Sequence, residues 1–180
     1  MNSKPFALAC LLLSIGLTGC QTTQTPYEVR TLEQYKKGRS SNFYNLGVTE
    51  EKVNDRIYHV TVKLAGTSSQ DRAKDMFYLH AANLAMNNNF EKFVTEKRKG
   101  GKWCYGTKTY YGGQVTAEEA GPKFSGFVLL LNDEKEVTSK QKVHIAKNIK
   151  KMTKPKVEAK IDEATMLKNE ERYLTACERK

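Results

Sequence analysis

Residues 57–89 read IYHVTVKLAGTSSQDRAKDMFYLHAANLAMNNN, and this stretch decides the fold. In an extended chain Tyr58, Val60, Val62 and Leu64 share one face, while His59, Thr61 and Lys63 share the other. That period of two predicts a half-buried strand. Gly66 ends it, and a helix opens at Thr67-Ser68-Ser69-Gln70. Thr67 and Gln70 have capping-box spacing, and Ser68 with Asp71 offers a second cap. Ala73, Phe77, His80, Ala81, Leu84 and Ala85 recur at helical spacing, predicting one apolar face on a helix that runs to about Asn87. Asn87-Asn88-Asn89 stops it, because Asn tolerates the left-handed backbone at a helix end.

Upstream, Asn45 to Val53 predicts a short strand, followed by a turn at Asn54-Asp55. Downstream, Phe90 to Lys99 predicts a strand, Gly100-Gly101 a two-residue hairpin turn, and Lys102 to Tyr111 the partner strand. Gly112-Gly113 and Gly121-Pro122 mark further turns. Lys123 to Leu131 (KFSGFVLLL) becomes apolar on both faces and is the expected central strand. Two helices close the chain. One covers roughly Ser139 to Met152, with Ile145, Ala146, Ile149 and Met152 inward. The other begins near Pro155 and carries Val157, Ile161, Ala164, Leu167, Leu174 and Cys177 on a looser stripe. The expectation is an α+β fold: strand-strand-helix, then a strand meander. Its sheet is mostly antiparallel, with the C-terminal helices packed on it.

At 180 residues, 39 % hydrophobic and 28 % charged, the chain fits one domain. It does not fit a polytopic membrane protein or wholesale disorder. Its first residues set an address. Met1 to Lys4 carries one positive charge, and Phe6 to Leu17 (FALACLLLSIGL) is an apolar run. The run is too short to span a ~30 Å hydrocarbon core at ~1.5 Å per residue, and it reads as a secretory signal. Its exit, Leu17-Thr18-Gly19-Cys20, resembles a bacterial lipobox. The resemblance implies cleavage before Cys20, which then carries a diacylglycerol thioether and an N-acyl chain such as palmitate. It calls for no other cofactor. Two or three acyl chains at ~0.8 kcal/mol per buried methylene anchor a protein stably. By resemblance to sorting in enteric lipoproteins, Gln21, rather than Asp, directs the chain to the outer membrane, facing the periplasm or the cell surface. The other reading is an ordinary secretory signal with a chance cysteine. Residues 1–19 are thus the signal peptide and 20–42 the lipidated N-terminus and tether, with room for part of the latter to pack or add a strand. Residues 43–180 form the single periplasmic domain.

With Cys10 in the signal and Cys20 acylated, Cys104 and Cys177 remain as a pair in an oxidising compartment. A disulfide between them would tie the C-terminal helix to the sheet. Two separate thiols, or one thiol joined to another protein, are the alternatives.

Within residues 47–93, Gly47-x-x-Glu50, Tyr58-x-Val60-x-Val62, Gly66, Ala81-Ala82-Asn83-Leu84 and Phe90-x-x-Phe93 form a series. It resembles a pattern in small proteobacterial lipoproteins, approximately G-Y-x-E, Y-x-V-x-F-x-G-N, A-A-E-L and G-F-x-x-F. Val48, Ala65-Gly66-Thr67 in place of Gly-Asn, Asn83 and Asn89 depart from it. The resemblance implies an address and a fold rather than a reaction.

No catalytic residues are assigned. His59, His80 and His144 form no metal-ligand or nucleophile spacing, and the chain has no P-loop or nucleophile elbow. His80 is expected in the core, His59 on the surface, and His144 solvated in a lysine-rich helix. Charge is the better lead, since 30 Lys+Arg against 20 Asp+Glu leave a net +10. Lys97, Arg98, Lys99 and Lys102 are interleaved with Trp103, Tyr105 and Tyr110. Basic groups with aromatic platforms suit anionic surfaces. The residues read equally as strand packing or as a binding face. A second run, from Lys140 to Lys160, reads as a solvated helix face. The expected partner beyond outer-membrane lipid is an acidic envelope polymer or a protein complex, and not nucleic acid. The functional expectation is a non-catalytic binding or assembly module. An accessory subunit of a secretion or surface machine, or a hydrolase-type periplasmic enzyme, is the alternative.

Overall fold

The computed structural model describes residues 24–31, 46–108, 115–138 and 140–178. In chain order they form β1 (Val29–Thr31), β2 (Gly47–Lys52), β3 (Ile57–Lys63), α1 (Gln70–Asn87), β4 (Lys92–Lys108) and β5 (Val115–Leu131). A 3-10 turn at Glu134–Glu136 leads to β6 (His144–Ile145), α2 (Ala146–Glu158) and α3 (Glu163–Cys177). The fold is α+β. One sheet of order β1-β2-β3-β5-β4-β6 is antiparallel except where β1 runs parallel to β2.

The alternation in β3 survives as burial. Tyr58, Val60 and Val62 are buried and turn toward α1, while His59, Thr61 and Lys63 lie half-buried on the opposite face. β5 repeats the pattern beside it, with Phe124, Val128 and Leu130 on the helix side. It is central, as expected for an apolar strand with a neighbour on each edge. α1 is capped by Ser69, whose side chain accepts from Arg72 N, rather than by Thr67 or Ser68. Met76, Tyr78, Leu79 and Ala82 are buried along with the expected stripe, because the sheet covers one side of α1 and α2 another. Phe77 anchors this core, 5.1 Å from the Phe124 ring and 5.5 Å from that of Tyr78.

Several local expectations are corrected. Gly100-Gly101 makes no hairpin turn; β4 runs through it without a break, and neither glycine has the positive φ such a turn requires. Gly121-Pro122 likewise lies inside β5. Residues 109–114, between these two long strands, lie outside the described residues. Pro155 sits within α2 instead of opening the last helix, which begins at Glu163 and is capped by Asp162, whose carboxylate accepts from Thr165 N. Ile145 and Met152 point outward, at 47 % and 61 % exposure; Ala146, Thr153 and Val157 make the buried side. His144 is buried in β6 between Phe93 and Tyr78, not solvated on a helix.

Residues 24–31, within the stretch read as tether, pack on the domain. Val48 N donates to Glu28 O at 2.8 Å, and Ala65 N donates to Thr25 Oγ1 at 2.8 Å. Cys104 and Cys177 form a disulfide with α-carbons 5.7 Å apart, fastening α3 to β4. Cys20 lies outside the described residues. Among the described residues no helix is long and apolar enough to cross a membrane.

Candidate functional site

All three helices pack on one side of the sheet, and the other side carries none among the described residues. Strand pairing gathers side chains from three strands on that open face. Lys63 and His59 come from β3, Lys123, Ser125 and Phe127 from β5, and Glu96, Lys99, Trp103 and Tyr105 from β4. Lys97 Nζ lies 5.7 Å above the Phe127 ring, Lys63 Nζ lies 5.8 Å from the Trp103 ring, and His59 stacks against Phe127 at 4.9 Å. These are cation–π and ring contacts, each contributing on the order of 0.5–1 kcal/mol at exposed sites. They hold the amines over aromatic surface rather than leaving them loose.

A bulge sorts the basic run between the two faces. Between Glu96 and Lys99 the register with β5 shifts, so Lys97 and Arg98 both oppose Gly126. Lys97 takes a positive φ of 47° and reaches the open face, whereas Arg98 turns to the helix side and donates to the Tyr78 hydroxyl at 2.7 Å. A side chain at Gly126 would meet Glu96 O at 3.0 Å and Phe77 Cζ at 3.2 Å, so glycine there makes room for the bulge.

Of the seven residues singled out in the sequence, Lys97, Lys99, Trp103 and Tyr105 therefore share the open face. Arg98 and Lys102 do not; Lys102 donates to the Ala176 carbonyl at the end of α3. Tyr110 lies outside the described residues. The Trp103 indole N–H donates to Leu64 O at 2.8 Å, and its ring lies on the open face beside Lys63. Lys63, Lys123, His59 and Phe127 were missed, since they are remote in sequence from the basic run and only pairing sets them beside it.

A second polar cluster lies on the helix side, near the β2 edge. His80, 4 % exposed, has both ring nitrogens engaged, Nε2 with Glu50 at 2.7 Å and Nδ1 with the Tyr27 hydroxyl at 3.0 Å. The Glu50 carboxylate can only accept, so the Nε2 it faces carries a ring proton, and Nδ1 meets the Tyr27 hydroxyl. Tyr27 in turn accepts from Asn83 Nδ2 at 3.0 Å. The hydrogen bond from His80 holds the Glu50 carboxyl below its ordinary value, and burial pushes the Tyr27 phenol up. Tyr27 is thereby kept protonated, and the cluster clips residues 24–31 to α1. Among the described residues no group of His, Cys, Asp or Glu is arranged to hold a metal ion. The run from Lys140 to Lys160 lies exposed for most of its length, with Lys154 paired to Glu158 at 3.7 Å.

Comparison with protein families, with curated proteins and with solved structures finds no match to this chain.

Proposed function

We propose that this protein is a lipid-anchored lipoprotein of the bacterial outer membrane. Its α+β domain binds an acidic component of the envelope, without catalysis, through the open face of the sheet. The observation that carries the reading is the gathering of Lys63, Lys97, Lys99 and Lys123 with Trp103, Tyr105 and Phe127 on a face bare of helices among the described residues. Clustered cations raise the encounter rate with an anionic partner, and the rings give it a surface to lie on. Acylated Cys20 supplies the anchor. With β1 opening at Val29, eight residues, 21–28, lie between the anchor and the first strand, a reach of roughly 30 Å when fully extended, and only 21–23 precede the docked segment. Service as an accessory subunit of a secretion or surface machine uses the same face and differs only in the partner.

The chain Glu50–His80–Tyr27 favours a second reading, a periplasmic enzyme, because it links a carboxylate, an imidazole and a hydroxyl. Burial of His80 and the protonated state of Tyr27 favour a structural clip.

Two measurements test the proposal. Palmitate labelling is expected for the natural chain and is expected to vanish in Cys20→Ser. Binding of the mature domain to lipopolysaccharide is expected to weaken steeply from low to high salt. Absence of label, or an affinity flat across ionic strength, overturns the corresponding half of the reading. His80→Gln separates the enzyme reading, since loss of a measured activity without loss of fold would establish it.

A further inference from the structure

We infer that the outer edge of β4 docks an extended, acidic polypeptide segment, which adds to the sheet as a further strand. The inference rests on the reading of the basic face and names the class of its partner. β6 covers that edge only at Lys92 and Phe93. From Glu96 onward, no strand among the described residues pairs with the side of β4 turned away from β5. Glu96 through Lys102 are all exposed. The register with β5 is regular from Lys99 to Tyr105, between bulges at Glu96/Lys99 and Tyr105/Gly106. Along this stretch alternate residues aim N–H and C=O outward. Such a row is matched in spacing by another extended backbone, which supplies main-chain donors and acceptors in the same repeat. A polysaccharide has no such repeat, so the edge selects for polypeptide.

Charge selects further. Residues 97–102 hold no acid, and their cations flank the edge on both sides. Lys97 and Lys99 are on the open face, Arg98 and Lys102 on the helix face. A second copy of this chain arriving edge to edge would set these cations against their own kind, and like charges directly across a strand pair destabilise it. Lysines on an edge commonly serve to keep copies apart. Here the same residues attract an acidic strand while the main-chain row stays unblocked, since β4 contains no proline. Attraction of one partner and repulsion of the other come from one set of charges. On the open face the docked segment would place carboxylates beside Lys97 and Lys99. Further along it would lay an apolar residue against Trp103 and Tyr105, across the bare backbone of Gly101.

The test uses the mature chain and three probes. One is a peptide alternating Glu with Thr. The second is the same peptide N-methylated at alternate residues on its hydrogen-bonding edge, so that charge is kept and main-chain donors are lost. The third is polygalacturonate, an anionic polymer without a peptide backbone. The unmodified peptide is expected to bind and to slow amide exchange at alternate residues between Lys99 and Tyr105. N-methylation is expected to weaken it at least tenfold, and so is the pair Lys97→Glu with Lys99→Glu. Equal binding of the two peptides overturns strand addition whether or not the charge-reversed variant folds, because that arm uses the unaltered protein. If all three probes then bind with the same salt dependence, the basic face stands as a general anion surface and only the docking mode falls. If none binds, both readings fall together.

Discussion

The Glu50 carboxylate on β2 lies 2.7 Å from Nε2 of His80 on α1, and the far side of the same imidazole holds the Tyr27 hydroxyl at 3.0 Å. One buried ring thus joins the sheet, the central helix and the segment that leads back to the N-terminus. Glu50 and His80 are thirty residues apart in the chain, and Tyr27 lies outside both the strand and the helix they belong to.

This relationship predicts an acid limb in the stability profile. The hydrogen bond from His80 lowers the folded-state pKa of Glu50 from its ordinary 4.5. The carboxylate therefore stabilises the fold above that value, and the contribution is lost as pH falls through the lowered folded value. Glu50→Gln is expected to cost roughly 1–3 kcal/mol near neutral pH and to flatten the acid limb. Urea midpoints measured from neutral pH into acid check this; identical limbs in the two proteins would refute it.

His144 gives a second pH effect at higher pH. Burial, followed by the nearby charges of Lys142 and Arg98, pushes its pKa below the ordinary 6.5, and its Nε2 has no hydrogen-bond partner among the described residues. The unfolded chain takes up this proton first, so stability falls as pH drops below about 6.5. His144→Phe keeps a ring between Phe93 and Tyr78 and removes the orphaned nitrogen. Its melting temperature is expected to match or exceed that of the natural protein at neutral pH, with the gain widening toward mildly acidic pH. A gain that shrinks on acidification would contradict the assignment.

Two glycines in neighbouring strands should respond oppositely to alanine. A Cβ at Gly121 would lie 2.1 Å from Leu64 O and 2.9 Å from Trp103 Nε1, in the path of the bond that seats the indole. Gly121→Ala is expected to destabilise by about 3 kcal/mol or more. At Gly101 a Cβ meets nothing within 4 Å. Gly101→Ala is expected to be neutral or to stabilise by up to about 1 kcal/mol, through a less flexible unfolded chain. Denaturant midpoints of the two variants decide it.

Removal of the disulfide should loosen one end of the molecule before the rest. α3 contributes only Tyr173, Cys177 and part of Leu174 to a small apolar cluster with Ala120. The bond between Cys104 and Cys177 spans 73 residues of chain. Cys104→Ser is expected to cost about 2–4 kcal/mol. Amide exchange should accelerate in α3 first, while α1 keeps its protection. Uniform acceleration across both helices would show that α3 is integral to the main core.

The α+β class and the central place of β5 were legible in the chain, and Cys104 with Cys177 stood there as a candidate pair whose bond the tertiary structure decided. Burial periodicity, an unbroken apolar run and two leftover cysteines are local or countable signals. The run of lysines with Trp103 and Tyr105 marked part of the open face for the same reason. Which of those lysines share a face was not legible. A bulge opposite Gly126 sends Lys97 one way and Arg98 the other, and a bulge exists only relative to a partner strand. Gly100-Gly101 misled because a glycine pair that tightens a hairpin and one that lies flat in a strand are spelled alike; φ separates them, and the chain around them sets φ. Lys63, Lys123 and Phe127 joined the site, and Tyr27 joined His80, through contacts between residues far apart in the sequence. Such contacts form when the whole sheet and its helices bury their apolar faces together, and no short window of residues carries that information.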